Sequence, residues 1–302
     1  MFITKNRFSM QIVSQIIAMV LVVLLLVSCG GKAPAGGDKA VDQEKPEEAV
    51  DQEKPNEAVE PDEQQDADPD GQEETEPEQT QDVDSDTSGS PANAAESFGA
   101  YIQAKGEMVT RLSDALSNNP GTELYSMNLL SVILLDIALM PASGFGLGQE
   151  AASLALGFLG AEDIEYSENE NQYIVKYRNE KGEQFELQGV YDKAVDSLKC
   201  TSLKDGKESL SSEYRKTSYG YVSQFYSIND DGSTYLYQLT VSGKDGVLGI
   251  SEASAAPSEL TGSEALDFPK QCQEWYAIEG DDVTGVTSDG NEISFVYTPS
   301  ED

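Results

Sequence analysis

Three thiols, and almost nothing to activate a nucleophile, bound the chemistry open to this chain. Cys29, Cys200 and Cys272 are its only cysteines, and its 302 residues include no histidine. That removes Ser-His-Asp and Cys-His nucleophiles and any histidine zinc site. No S-x-x-K motif stands in for them. Paired carboxylates for glycoside hydrolysis are formally available, because Glu162, Asp163, Glu274, Asp281 and Asp282 all fall near expected strand ends. With 34 acids between residues 94 and 302, however, close pairs arise by chance. The sequence therefore points away from an enzyme. The thiol that stands out is Cys29, because of what precedes it.

Cys29 ends the run Leu26-Val27-Ser28-Cys29, which closes an uncharged apolar stretch from Ile16 to Val27. Lys5 and Arg7 lie upstream, and Gly30 and Gly31 follow. Twelve apolar residues fall short of the roughly 20 that span a bilayer as a helix. The pattern is that of a cleaved leader. This run resembles the lipobox of bacterial lipoproteins, in which the cysteine receives a diacylglycerol and signal peptidase II cuts before it. The resemblance covers the N-terminus alone. It implies a signal peptide over residues 1–28, acyl chains on Cys29, and a lipid-anchored protein on the extracytoplasmic side of the cell membrane.

With Cys29 lipidated, Cys200 and Cys272 are left as a pair in an oxidisable compartment. A disulfide between them would close a loop of about 72 residues and add about 4 kcal/mol in the chain-entropy picture. Two free, buried thiols are the alternative.

Charge sets the partners. The chain carries 55 acids against 19 bases, a net charge of −36. Such a surface repels nucleic acid and anionic headgroups. Residues 30–93 hold 21 acids and 4 lysines, with no aromatic residue and few aliphatic ones. A stretch of that composition cannot bury enough apolar surface to offset the entropy of ordering, so it reads as a disordered tether. Its nine-residue repeat, AVDQEKPEE from Ala40 and AVDQEKPNE from Ala49, has no apolar face to stack as a solenoid does. As a flexible coil the tether would span roughly 45 Å. Asp66 to Gly71 imitates the opening of a calcium loop, but the closing position is Pro77 rather than glutamate, so no metal site is expected.

The elements that must position any site begin after this tether, over 94–302. A first helix is expected from an N-cap at Ser90 with Pro91 behind it, carrying Phe98, Tyr101, Ile102, Val109, Leu112 and Leu116 on one stripe. It stops at Asn118-Asn119-Pro120-Gly121. A second, from about Thr122 to Pro141, is apolar nearly all round and reads as a buried core helix, not a membrane span, since Asp136 interrupts it. A third runs from Gln149 to Leu159, with Gly160 as its cap. The Gly144 to Gly148 loop before it lacks the spacing of a phosphate cradle.

From about Tyr166 the apolar period becomes two. Strands are expected at Tyr173–Tyr177, Phe185–Leu187, Val195–Leu203, Glu208–Arg215, Tyr219–Ile228, Thr234–Val241, Val247–Ile250, Glu274–Glu279, Val283–Thr287 and Ile293–Tyr297. Residues 252–271 make a longer crossing loop. The expected class is α+β, with two to three N-terminal helices packed on a curved antiparallel meander of about 8–10 short strands. Twelve of the 14 tyrosines fall in the strand region, as cross-strand pairs or as a platform for sugars.

Two function classes remain. In the first, the apolar second helix lines a cavity and holds an apolar or lipid ligand through Leu130, Ile133, Leu134 and Ile137. In the second, the sheet face binds an envelope protein or wall polymer. No cofactor is implied.

Overall fold

The computed structural model describes residues 91–299; Cys29, the repeats and the acidic run lie outside them. The chain is α+β. Helix α1 spans Ala94–Asn118, α2 Ser126–Leu139 and α3 Gln149–Gly157, with a 3-10 turn at Met140–Gly144 after α2. Eleven strands follow: β1 Glu162–Asn169, β2 Gln172–Arg178, β3 Gln184–Asp192, β4 Ser197–Lys204, β5 Lys207–Lys216 and β6 Tyr221–Ile228. The last five are β7 Thr234–Ser242, β8 Asp245–Glu252, β9 Glu274–Glu279, β10 Asp282–Val286 and β11 Glu292–Val296. They form one open sheet in strict sequence order, every neighbouring pair antiparallel.

The start of α1 differs from expectation. Asn93, not Ser90, caps it: Asn93 Oδ1 accepts from the Glu96 backbone N–H at 2.9 Å, and Glu96 Oε2 accepts from the Ala92 N–H at 2.8 Å. Asn93 thus caps the third helical N–H, and Glu96 reaches back to the N–H one residue before the cap, a near relative of the capping box. The helix stops where Asn119 turns extended and Gly121 takes φ +94°. Helix α3 ends at Gly157, two residues short of Leu159, and Gly160 at φ +70° closes the turn beyond it.

Helix α2 is less covered than its composition implies. Leu129, Val132 and Leu139 are fully buried, yet Met127 is 53% and Leu134 59% exposed. Taken with the 3-10 turn, Ser126–Gly144 is long and apolar enough to cross a membrane on length and composition, as core helices also can be.

Register fixes the two faces of the sheet. Gly189, Cys200, Ser212, Phe225, Tyr237, Ile250 and Glu274 pair directly across β3 to β9, and side chains so paired share a face. That face meets the helices: Tyr101 of α1 stacks on Tyr214 at 4.2 Å between ring centroids, and Phe145 stacks on Tyr173 at 4.9 Å. The tyrosines at 214 and 221 are thus buried against α1, not displayed as a sugar platform. The neighbouring row, Lys199, Glu213, Gln224, Gln238, Gly249 and Trp275, points the other way.

A strap over residues 253–271 crosses this outer face. Glu213 Oε2 accepts from the Leu260 N–H at 3.0 Å, and Gln224 Nε2 donates to the Ser258 carbonyl at 2.7 Å. Thr240 Oγ1 donates to the Leu266 carbonyl at 2.6 Å, and Lys199 pairs with Glu259 at 2.7 Å.

The two faces also decide the cysteines. Cys200 and Cys272 are both free and buried, so the expected disulfide is not formed. The physical reason is parity. Cys200 lies on the helix-facing row, whereas Cys272 sits on the outer face, its Sγ 3.3 Å from Gln238 Oε1. The sheet stands between them, and a disulfide needs Cα atoms within about 7 Å. Burial pushes the Cys200 thiol up to about 12, leaving it unreactive near neutrality. Thermal unfolding with and without reductant is therefore expected to give the same midpoint, and thiol titration in denaturant should count both residues 200 and 272 as free. A midpoint lowered by reductant would contradict the two-face arrangement.

Candidate functional site

Between α1, α2 and the β7–β8 turn opens a cleft of about 600 Å³, within the size range of small-molecule sites. Its walls follow from helix periodicity. Ile102, Val109 and Gly106 come from one side of α1, and Val132, Ile133 and Asp136 from α2. Gly106 has nothing within 4 Å of where a Cβ would stand, so this part of the α1 wall recedes.

An ion pair is set into that apolar wall. Lys105 of α1 hydrogen-bonds Asp136 of α2, with side-chain exposures of 1% and 13%. Burial pulls the Lys105 ammonium below the usual lysine range and pushes the Asp136 carboxyl up. The partners' mutual attraction opposes both shifts. The Lys105 ammonium also lies 4.8 Å from the Phe225 ring centroid and 5.7 Å from that of Tyr101. These contacts offset part of the cost of taking a lysine out of water.

The rim is polar. Arg111 donates to Asp245 at 2.7 Å, to the Gly280 carbonyl at 2.6 Å and to Asp281 at 3.0 Å, and its guanidinium lies 5.9 Å from the Tyr297 ring centroid. Tyr297 in turn donates to Asp114 at 2.5 Å. One arginine thus ties α1 to the β7–β8 and β9–β10 turns and holds the mouth of the cleft in place.

Of the four residues expected to touch an apolar ligand, only Ile133 lines the cleft. Leu130 and Ile137 are half-buried outside it, and Leu134 points to solvent. The correction is one of helical phase: α2 presents Val132, Ile133 and Asp136 to α1, so a stripe centred on Leu134 faces outward.

The strand-end carboxylates do not gather either. Asp163 pairs with Arg178 at the β1 edge, Asp281 pairs with Arg111, and Glu274 is buried under Asn128 and Tyr276, each at 2.6 Å.

Lys105, Arg111, Lys244 and Tyr297 were not singled out from sequence. A signal for the first was present: Lys105 stands four residues after Tyr101 and four before Val109, on the apolar stripe of α1, and Asp136 interrupts the apolar run of α2. Opposite charges at core positions of two consecutive helices mark a buried pair. No family model, curated protein or solved structure matches the chain.

Proposed function

We propose that this chain is an extracytoplasmic lipoprotein, held to the cell membrane by acyl chains on Cys29, whose folded part binds a small, largely apolar ligand in the α1–α2 cleft. The observation that carries the binding part is the cleft itself. It offers about 600 Å³ walled by Ile102, Val109, Val132 and Ile133, between a buried ion pair and an arginine-clamped rim. The anchor rests on the Leu26-Val27-Ser28-Cys29 run and its apolar, basic-flanked leader.

Docking of a partner on the sheet is less well supported, because the 253–271 strap already occupies the outer face over β5 to β8.

Two measurements test the proposal. Wild-type protein should partition with membranes and carry an acyl mass at residue 29, and Cys29→Ser should release it or leave it unprocessed. Protein purified from cells without detergent exchange, extracted into organic solvent and weighed, should yield a stoichiometric apolar molecule. An unacylated mature N-terminus elsewhere would end the lipoprotein reading. An empty extract, with no binding of added apolar probes, would end the ligand reading.

A further inference from the structure

We infer that the cleft selects an amphiphile with a cationic head, a primary ammonium on an apolar body, and that Asp136 receives the head. This rests on the cleft being a binding site, the reading given above. The ion pair is asymmetric toward the cleft. Both residues border the cleft, but Lys105 is 1% exposed with its ammonium engaged by Asp136, Tyr101 and Phe225, whereas Asp136 is 13% exposed. Asp136 lines the cleft and gives only Oδ1 to Lys105. Among the described residues nothing donates to Oδ2, and this oxygen is not among the solvent-sealed atoms that lack a partner. What the cleft offers at its polar point is therefore a carboxylate oxygen free to accept, on a group whose charge Lys105 already balances.

The other charges agree. Arg111, the strongest base on the rim, is engaged by Asp245, Asp281 and the Gly280 carbonyl. Asp114 and Glu107 line the mouth with no basic partner among the described residues, against one lysine, Lys244, in the same position. Around them residues 94–302 carry 34 acids and 13 bases. A field of that sign draws cations toward a low-dielectric cleft and turns anions away. An ammonium on Oδ2 would form a charge-assisted hydrogen bond, roughly twice as strong as a neutral one. Ile102, Val109, Val132 and Ile133 would cover the body of the molecule.

Three probes of equal chain length separate the terms: decylammonium, decanol and decanoate, each titrated calorimetrically at low salt below its micelle concentration. The protein is residues 29–302 with Cys29→Ser, so that no acyl group is present. Decylammonium is expected to bind about tenfold tighter than decanol, and decanoate more weakly than decanol. In the paired variant Lys105→Met, Asp136→Leu, decylammonium should bind no tighter than decanol.

Decanoate as the tightest probe, or three equal affinities, would overturn the cationic head while leaving the apolar cleft standing. A preference for decylammonium that persists in the paired variant would remove Asp136 as its receptor. Failure of all three probes to bind would overturn both this inference and the reading it rests on. The ranking on the chain without the paired change decides the head group even should that variant not fold.

Discussion

Asp136→Asn is expected to lower the stability of the folded part by about 3–5 kcal/mol, read as a fall in the denaturant midpoint at unchanged slope. The change keeps volume and shape but leaves the Lys105 ammonium, 1% exposed, without its counter-charge. The rings of Tyr101 and Phe225 recover only part of that loss, since a cation–π contact is worth about 1–2 kcal/mol. The converse change, Lys105→Met, should cost less. Asp136 keeps 13% exposure and borders the cleft, so an unpaired carboxyl there can take a proton or a water. Removing both charges with Lys105→Met and Asp136→Leu should restore stability to near the starting value or above it, because the pair's desolvation disappears with it. Equal losses for the two single changes would show that exposure to the cleft does not relieve Asp136.

Gly249→Ala should lift the strap. A Cβ at residue 249 would stand 2.3 Å from the Pro269 carbonyl oxygen and 2.8 Å from Cys272 Sγ. A backbone carbonyl cannot rotate aside as a side chain can, so the strap or β8 must move. The expected cost is about 1–3 kcal/mol, as for other overpacked sites. The local signature is sharper than the global one. Cys272 should react with a thiol reagent under native conditions much faster than in the parent, while Cys200, under the helices on the other face, should not change. Acceleration at both cysteines would indicate general loosening rather than release of the strap.

Local periodicity carried most of the architecture. The strand Glu274–Glu279 begins and ends where alternation does, and the hairpin around Asn179 to Gly182 forms where its turn residues place it. Strand β1 was not legible because it is an edge. In Glu162–Asn169 only Ile164 and Tyr166 are even half-buried, so five exposed acids and amides mask the period. The eleventh strand came from there, beyond the eight to ten expected. The uncovered side of α2 was illegible for a different reason. An almost wholly apolar helix reads as buried, yet its phase is set by which neighbours reach it, here α1 through Asp136 and Lys105. The cysteine pairing needed the parity of β4 against a residue outside any strand, which no spacing encodes. The cleft was half legible: its charged pair was visible as two interruptions of apolar stripes, but their meeting required the packing of α1 on α2.

The meander has a kinetic meaning. Every strand bonds only to strands adjacent in sequence, most across turns of two to four residues, so loop-closure entropy at each step is small. Pairing of this kind can spread hairpin by hairpin. Long-range contacts tie α1 to the sheet: its Ser97 meets Tyr214 across 117 residues and its Tyr101 stacks on that same ring. Helix α1 thus has no surface to dock on until β5 and β6 have paired, although it is made first. Because α1 is also one wall of the cleft, the cleft takes shape only once α1 docks, and a probe found to bind there would time that docking during refolding.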